Sequence, residues 1–261
     1  MIGVAGCGRM GAPMLDALRD GGTDALGFDV ADKGAVHITT NIMAFAPRLQ
    51  TLFSVVRDAD ETDALLFDQQ NLVRCAPRLD RVFLCSTLSP RYVRALRARV
   101  PDRITLIDAP MSGAQVAAQN RALSFMLGGS DMDIAEAIPL LALMGKHFHH
   151  MGPYGAGMQA KVLNNLLAAS HTAMTRLVLD WADAAGLDET KLLQLIATSS
   201  GQNWLASGFN DIEFARDGHA PDNSIGILAK DVAAALDAAP AHADTALPRL
   251  LEQAIRALTP R

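Results

Sequence analysis

The sequence lacks the features that mark secreted and membrane-spanning proteins. Its 261 residues include only three cysteines, scattered at Cys7, Cys75 and Cys85. Such an odd, dispersed set predicts neither a structural disulfide nor a metal site, and it suits a reducing, cytoplasmic compartment. No apolar run approaches the length of a membrane span, and a first strand predicted to begin at Ile2 leaves no room for a cleavable leader.

An excess of positive charge is also absent. The formal net charge is -5, from 23 Lys and Arg residues against 28 Asp and Glu residues. The basic residues are dispersed except for Arg91, Arg94, Arg97 and Arg99, which we interpret as the solvated face of one helix. We therefore expect neither nucleic acid nor a membrane as a partner.

Apolar residues are plentiful and make up half of the chain. That is enough for a sizeable core and, at this length, for two domains. Through about residue 150, short apolar runs alternate with helical periodicity, which predicts a doubly wound α/β fold, a parallel sheet covered by helices on both faces. The expected strands span residues 2–5, 25–28, 51–56, 82–85, 104–107 and 124–127.

The character of the sequence changes at a glycine-rich run, residues 152–157. Nearly everything beyond it is helical, so we place a domain boundary between residues 1–151 and a smaller all-α domain of residues 152–261. The stretch from Met158 to about Ala185 contains neither Pro nor Gly. It predicts one long helix that is buried on several sides, in part by a second subunit, and hence a homodimer or homotetramer.

The N-terminal residues carry a nucleotide-binding signature. The apolar run Ile2 to Ala5 precedes Gly6-Cys7-Gly8-Arg9-Met10-Gly11, which has the spacing G-x-G-x-x-G. The first glycine permits a tight turn, the second lets a pyrophosphate approach the backbone, and the third lets the following helix pack closely on its strand. A single match of this kind also occurs at ordinary turns, so its context decides its meaning.

A carboxylate follows at the distance that this signature requires. Residues 25–28 are predicted to form the second strand, and Asp29 ends it, roughly twenty residues beyond the glycines. We expect Asp29 to bind the adenosine ribose and to repel a 2′-phosphate, which favours NAD while leaving NADP open. The alternative is that Asp29 only caps a turn.

Beyond the glycine-rich run, a lysine and an amide are spaced by one helical turn. Lys161 and Asn165 lie four residues apart and share one face of the predicted helix. A partly buried lysine can both donate and accept a proton beside a hydride acceptor, and Asn165 could fix the reacting oxygen or orient the ammonium. The alternative is an ordinary surface lysine, but ligand sites favour domain junctions such as this one.

Two further polar segments follow predicted strands, where ligands collect in open parallel sheets. In the segment from Asp108 to Ala114, small residues leave backbone N–H groups and the Ser112 hydroxyl to hold a carboxylate. In the segment from Cys85 to Pro90, Thr87 could contact a nicotinamide ribose. Either segment could instead be a helix N-cap.

Together these motifs resemble the β-hydroxyacid dehydrogenases. The likeness covers the glycine loop, Ser86-Thr87, the segment from Asp108 to Gly113, the 152–157 run, Lys161 with Asn165, and Lys230-Asp231, in that order. It implies a Rossmann domain, a helical C-terminal domain, and hydride transfer between NAD(P) and a small 3-hydroxy acid. Family members of this kind include 3-hydroxyisobutyrate dehydrogenase and tartronate semialdehyde reductase.

The resemblance also implies roles for individual residues. Lys161 matches the family's catalytic lysine, Ser112 and Gly113 match its carboxylate-binding turn, and Asn165 matches its substrate-side asparagine. Besides the glycine loop and Asp29, the expected cofactor-binding residues are Val56, Thr87 and Lys230.

Several positions depart from the family's pattern. Ala114 stands where a second glycine usually follows the serine, and Ala117 and Arg121 replace later glycines. We therefore expect a reshaped substrate turn, with Arg121 as a solvated charge or, alternatively, an anion contact. The loop at Val56 lacks the usual Leu-Pro, and the segment after Lys230-Asp231 is shorter than usual, so closure of the site could be looser or completed by another subunit.

Other functions stay open at this stage. Imine reductases share the architecture but usually lack a lysine at the position of Lys161, and 6-phosphogluconate dehydrogenase has a histidine in place of Asn164. A nucleotide-binding sensor or scaffold would keep the fold without turnover. The altered loop favours this alternative, whereas the presence of Lys161 and Asn165 favours an enzyme.

The remaining candidate residues are weaker. His147, His149 and His150 lack Cys or carboxylate neighbours at ligand spacing, so we expect no metal there. Trp204 could cover a substrate pocket, but we interpret it as a buried core residue.

Overall fold

The structure is a computed structural model that describes residues 1–261, and it divides into two compact units, Met1–Lys161 and Val162–Arg261. All the strands belong to the first unit. They are β1 (Ile2–Ala5), β2 (Ala25–Phe28), β3 (Ile38–Thr39), β4 (Thr51–Ser54), β5 (Arg81–Leu84), β6 (Thr105–Asp108), β7 (Met111–Ser112), β8 (Leu123–Gly128) and β9 (Gly145–Gly152).

Twelve α-helices and two short 3-10 turns, Ala46–Arg48 and Arg97–Arg99, complete the chain. The helices are α1 (Gly11–Asp20), α2 (Ile42–Phe45), α3 (Ala59–Leu66), α4 (Leu72–Cys75), α5 (Pro90–Leu96), α6 (Ala114–Gln119), α7 (Asp131–Leu141), α8 (Ala156–Ala184), α9 (Glu189–Ala197), α10 (Trp204–Ser207), α11 (Ser224–Asp237) and α12 (Ala246–Arg256). None of them combines the length and the apolar character needed to cross a bilayer.

The sheet has the order β3-β2-β1-β4-β5-β6-β8-β7, and β9 pairs with β8. Strand β1 lies between β2 and β4, with Ile2 opposite both Ala25 and Thr51 in parallel register. The connections leave β1 and β4 toward opposite ends of the sheet, which creates the switch point where open α/β sheets bind ligands. The Rossmann-type architecture expected from the sequence is therefore confirmed.

Alternation along the strands explains why both sheet faces are covered. In β4, Leu52 belongs to one buried cluster and Phe53 to the other, and in β5 the same holds for Val82 and Phe83. The rings of Phe53 and Phe83 stack at 4.5 Å between centroids. Because successive side chains point to opposite faces of a strand, continuous apolar runs such as these need helices on both sides.

The sheet differs from the expectation of uniformly parallel strands at one edge. Strand β8 runs antiparallel to β6 and β7 and parallel to β9. Residues of β9 are largely exposed and polar, and β3 and β7 have two residues each, so none of these three strands has an apolar pattern that could be recognised in the sequence.

The second unit is entirely helical and is built around α8. Its core joins α8 to α9, α10, α11 and α12 through buried apolar side chains such as Leu193, Leu205, Val232 and Ile255. Other faces of α8 are buried within the chain, and one face is exposed and apolar. We call it the α8 stripe, and it consists of Leu163, Leu167, Met174, Leu177, Val178 and Trp181, which are 37% to 68% exposed.

Candidate functional site

The glycine loop between β1 and α1 has the geometry that a pyrophosphate requires. Gly6 has φ +91°, and a Cβ there would meet the Val55 carbonyl oxygen at 2.6 Å. A Cβ on Gly11 would overlap the carbonyl oxygen of Gly6, whereas a Cβ on Gly8 would meet nothing within 4 Å. The first and third glycines thus allow the turn and the helix to pack closely against neighbouring backbone, and the second leaves one face of the loop open. The loop fits a dinucleotide.

Asp29 is fixed against this loop by backbone contacts. Its Oδ2 accepts a hydrogen bond from the Cys7 N–H at 2.9 Å, and its Oδ1 accepts one from the Ala31 N–H at 3.0 Å. The side chain is only 11% exposed, and the Lys33 ammonium lies 3.4 Å from Oδ2. The sequence interpretation missed Lys33, because a loop lysine four residues beyond a strand carries no distinctive pattern.

Cys7 contributes its backbone and not a reactive thiolate. Burial, reinforced by the charge of Asp29, raises the pKa of its thiol to about 12. The thiol donates to the Val4 carbonyl at 3.4 Å and to the Phe28 carbonyl at 3.6 Å. The remaining loop residues, Arg9 and Met10, lie between the open face of Gly8 and the start of α1.

The loops after β4 and β5 are joined at the same sheet edge. The Ser86 hydroxyl donates to the Val56 carbonyl at 2.5 Å. Thr87 follows Ser86 directly, and the next N–H, that of Leu88, donates to the Met158 sulfur at 3.3 Å. Val56 and Thr87 are therefore placed near the carboxyl ends of adjacent strands, as the cofactor interpretation requires.

The proposed carboxylate-binding turn begins on β7. Ser112 pairs with Ser124 of β8, and Gly113 follows with φ +135°. Ala114 and Arg121 also have positive φ values, +51° and +52°. The Arg121 side chain is 48% exposed and pairs with the exposed Asp20 at the end of α1, so it is a solvated charge, the first of the two alternatives expected for it.

Asp108, immediately ahead of this turn, holds the start of α8. The carboxylate is fully buried and accepts hydrogen bonds from the Gly155 N–H at 2.7 Å and from the Met158 N–H at 2.5 Å. Burial raises its pKa, and the two backbone donors counter part of that rise. The sequence interpretation placed Asp108 in the motif but missed this role, because its partners lie about fifty residues away.

Lys161 and Asn165 occupy successive turns of α8, and both are buried, with exposures of 6% and 7%. The Asn165 amide donates to Asp231 Oδ2 at 2.6 Å, and the Lys230 ammonium lies 3.6 Å from Asp231 Oδ1. Asp231 is 2% exposed. It fixes the Asn165 amide, a positioning role that the Lys230-Asp231 motif alone did not reveal.

Two interpretations of single residues were wrong. Trp204 is not a core residue, because it is 43% exposed at the start of α10, where its ring packs at 6.0 Å from that of Phe214. Arg97 does not belong to a solvated helix face, because it lies beyond α5 and donates to the carbonyls of Val100, Pro101 and Ile104.

The histidine group lies on β9. His150 Nε2 is within hydrogen-bond distance of the Gly129 and Gly152 carbonyls, at 3.0 and 3.1 Å, and its Nδ1 lies 3.4 Å from Asp131. His147 and His149 are exposed on the same strand.

Both compact units match models of known families. Residues 1–152 match the NAD binding domain of 6-phosphogluconate dehydrogenase. Residues 155–260 match the NAD-binding domain of NADP-dependent 3-hydroxyisobutyrate dehydrogenase.

Full-length relatives are also similar. The chain is 32% identical to the NAD-dependent L-serine dehydrogenase of Pseudomonas aeruginosa over 260 residues, which covers 94% of this chain and 87% of the relative. It is 29% identical to 3-hydroxyisobutyrate dehydrogenase of the same organism, over 90% of this chain and 84% of the relative.

Among solved structures, Mycobacterium tuberculosis 3-hydroxyisobutyrate dehydrogenase with L-serine shares the fold, with a TM-score of 0.78 at 24% identity, covering 97% of this chain and 91% of that one. The likeness thus extends through both units, in the same order as in the relatives. The chain belongs to the β-hydroxyacid dehydrogenase family of NAD(P)-binding oxidoreductases.

Proposed function

We propose that this protein transfers a hydride between NAD(P) and a small 3-hydroxy acid, with Lys161 as the general acid and base. The observation that carries the proposal is the attachment of α8 to Asp108. The buried carboxylate of Asp108 holds the first turn of the helix that bears Lys161. Ser112, four residues after Asp108 in the chain, belongs to the proposed anion-binding turn. A proton-transfer group and an anion-binding turn are therefore tied to one point of the sheet.

The chemistry assigned to each side chain follows from its type and burial. The Ser112 hydroxyl and the Gly113 N–H bind the substrate carboxylate. In the oxidation direction Lys161 Nζ accepts the hydroxyl proton, and in reduction it returns a proton to the same oxygen. Asn165, held by Asp231, contacts that oxygen or orients the lysine. A bound nicotinamide supplies the site that accepts or donates the hydride.

The cofactor is held by the first unit's loops. The glycine loop, Gly6 to Gly11, would hold its pyrophosphate, and Asp29 would bind its adenosine ribose, which would give NAD the advantage over NADP. Val56, Thr87 and Lys230 complete the proposed set. Residues 1–151 form the cofactor-binding domain in this proposal, and residues 152–261 form the domain for substrate binding and self-association.

The substrate class is supported by the names of two similar enzymes. One similar enzyme is named for L-serine and another for 3-hydroxyisobutyrate, and both compounds carry a hydroxyl on the carbon next to the one that bears the carboxylate. Tartronate semialdehyde carries an aldehyde at the corresponding carbon, and reduction of that aldehyde gives a 3-hydroxy acid of the same pattern.

A substrate panel tests this function. The purified protein is incubated with NAD or NADP and with L-serine, 3-hydroxyisobutyrate, glycerate or a simple alcohol, and reduced nicotinamide is followed by absorbance. We expect turnover with at least one 3-hydroxy acid and none with the alcohol, which lacks a carboxylate. Cofactor binding without turnover on any acid would instead support a nucleotide sensor. In a separate assay with NADPH and a cyclic imine, oxidation of NADPH as the only turnover found would support an imine reductase.

We also propose that the protein self-associates through the α8 stripe. Six large apolar side chains lie exposed on one face of a 29-residue helix. Monomeric proteins rarely leave such a surface in water, and a second copy of the same helix offers a complementary apolar face. A homodimer is the simplest assembly, and two such dimers would give a tetramer.

A further inference from the structure

We propose that Ser124 and His147 extend the substrate site and select a 3-hydroxy acid that carries a second carboxylate. The inference rests on the function proposed above and concerns the part of the substrate beyond its first carboxylate. It follows from the pairing of β7, β8 and β9, which places both side chains in line with Ser112. The protein is expected to prefer such a diacid over 3-hydroxyisobutyrate, which carries a methyl group in place of the second acidic arm.

Strand pairing places three polar side chains side by side. Ser112 of β7 lies opposite Ser124 of β8, and Ser124 lies opposite His147 of β9. Paired residues on neighbouring strands project from the same face of a sheet, and the strands are about 4.8 Å apart. We call this set the polar row, and it consists of Ser112, Ser124 and His147. It runs from the proposed carboxylate-binding serine to an imidazole two strands away.

The apolar neighbours of the polar row show on which face of the sheet it lies. Met111 and Phe125 belong to one buried cluster, and Phe148 packs against that cluster. The Phe125 and Phe148 rings stack at 6.2 Å between centroids. Lys146 pairs with no residue of β8, because the register shifts there, so the face of His147 follows from Phe148 on its other side. Since side chains alternate along a strand, the polar row projects from the opposite face.

Helix α8 begins on the same face of the sheet as the polar row. Gly128 is four residues from Ser124 on β8 and therefore shares its face. A Cβ on Gly128 would meet the Asp108 carboxylate, which accepts the N–H groups at the start of α8. A Cβ on Gly157, in the first turn of α8, would meet the backbone of β8. Lys161 lies one turn further along that side of the helix, so it and the polar row lie on one side of the sheet.

The side chains of the polar row suit a second carboxylate. His147 is exposed, and Ser112 and Ser124 are half-buried, so a ligand can reach the row. A serine hydroxyl and an imidazole N–H both donate hydrogen bonds, and such bonds are stronger when the acceptor is ionised. Strands β7, β8 and β9 contain no Asp or Glu, so no carboxylate of these strands opposes an anion.

The spacing of the strands sets the length of the substrate. A first carboxylate at Ser112 and a second between Ser124 and His147 would be separated by about one strand spacing, roughly 5 Å. 2-(Hydroxymethyl)succinate has a suitable length, and it is 3-hydroxyisobutyrate with a carboxylate added to the methyl group. The two compounds share the carbon that loses the hydride. They therefore form a matched pair that differs only in the group expected to face His147.

Steady-state kinetics with this pair of compounds test the proposal. The ratio of kcat/KM for 2-(hydroxymethyl)succinate to kcat/KM for 3-hydroxyisobutyrate is measured for the wild type, Ser124→Ala, His147→Ala, His147→Arg and His147→Glu. His149→Ala is the matched control, because His149 is an exposed histidine of the same strand that pairs with Met126, outside the polar row. His147 is exposed, so its replacements should leave the fold intact, and circular dichroism checks this.

The expected result is a change confined to the diacid. The wild-type ratio should be at least about ten, as for one added hydrogen bond to a charged group. His147→Ala and Ser124→Ala should each lower the ratio about three- to tenfold, and His147→Arg should maintain or raise it. His147→Glu should reverse the preference, because it repels the second carboxylate. The kcat/KM for 3-hydroxyisobutyrate should change less than about twofold in the His147 variants, and His149→Ala should leave the ratio unchanged.

Other outcomes separate this proposal from the function on which it rests. A wild type that oxidises 3-hydroxyisobutyrate at least as efficiently as the diacid would contradict the proposal alone. A ratio that neither His147→Ala nor His147→Glu changes would also contradict it, since the polar row would then not face the substrate. Turnover of no 3-hydroxy acid at all would contradict the proposed function itself.

Discussion

At the scale of single residues, the substrate turn holds two side chains in a conformation that glycine adopts more readily. Ala114 and Arg121 have φ values of +51° and +52°, a region that costs an L-residue roughly 1–2 kcal/mol. Both occupy positions where the family resemblance led us to expect glycine. The backbone is therefore strained at Ala114 and at Arg121, and Ala114 directly follows Gly113.

This strain predicts opposite effects for two similar substitutions. Ala114→Gly should raise the free energy of unfolding by roughly 0.5 kcal/mol, because relief of the left-handed strain exceeds the entropic cost of glycine. Ala118→Gly, in the same short helix but buried and without positive φ, should lower it by about 1 kcal/mol or more. Urea unfolding of both variants measures this difference, and equal destabilisation would show that Ala114 is not strained.

Local spacing in the sequence predicts which nearby residues share a motif or a helix face, but it does not predict contacts between residues far apart in the chain. The glycine loop, Asp29, and Lys161 with Asn165 follow from spacings of one turn or one motif. Asp231 acts on Asn165, 66 residues away, and no local pattern marks that pair. Only the folded chain shows which carboxylate faces which amide.

At the scale of secondary structure elements, the placement of α8 depends on Asp108. The helix spans Ala156–Ala184 and carries Lys161 in its second turn. At its N-terminal end, the Gly155 and Met158 N–H groups both donate to the buried Asp108 carboxylate at the end of β6. A carboxylate at a helix N-terminus satisfies unpaired donors and interacts favourably with the helix dipole.

Removing this attachment should affect both stability and turnover. Asp108→Ala leaves two buried N–H groups without an acceptor and should cost about 2–4 kcal/mol of unfolding free energy. Turnover should fall more than cofactor affinity, and Asp108→Ser, which keeps one acceptor, should recover part of both losses.

Asp131→Ala is the control for this prediction, since Asp131 opens helix α7 but is fully exposed. It should change stability by no more than about 0.5 kcal/mol. Calorimetry and steady-state kinetics provide the measurements. An Asp108→Ala variant as stable as the control would show that α8 is held by its other contacts.

Element prediction from sequence succeeded where burial imposes a pattern. Strands β1 and β2 were predicted with their observed bounds, and α8 begins two residues before the expected start. Residues 55–56 were assigned to a strand that ends at Ser54, because the apolar run continues into the loop. The exposed strand β9 carries no such pattern and was not predicted, although its histidines were considered as metal ligands.

At the scale of the whole molecule, the α8 stripe is the surface that we propose for self-association. A single charge placed in a buried apolar interface is costly, because it loses its hydration without gaining a partner. Trp181→Glu should therefore convert the proposed homodimer to monomer at micromolar concentration. Met132→Glu is the matched control, because Met132 is 70% exposed on α7 and Trp181 is 68% exposed.

Sedimentation velocity distinguishes the outcomes of this prediction. The wild type and Met132→Glu should sediment as dimers or larger assemblies, and Trp181→Glu should sediment as a monomer with unchanged circular dichroism. A monomeric wild type, or a Trp181→Glu variant that remains dimeric, would show that the α8 stripe is not the contact surface.

Single-turnover kinetics on Lys161→Ala test whether this lysine transfers the substrate proton. With the 3-hydroxy acid that the wild type oxidises fastest, loss of the lysine should slow nicotinamide reduction about 10²- to 10⁴-fold. NADH binding should stay unchanged, and Lys146→Ala should react at the wild-type rate. A Lys161→Ala variant that binds NADH and reduces NAD at the wild-type rate would contradict the account.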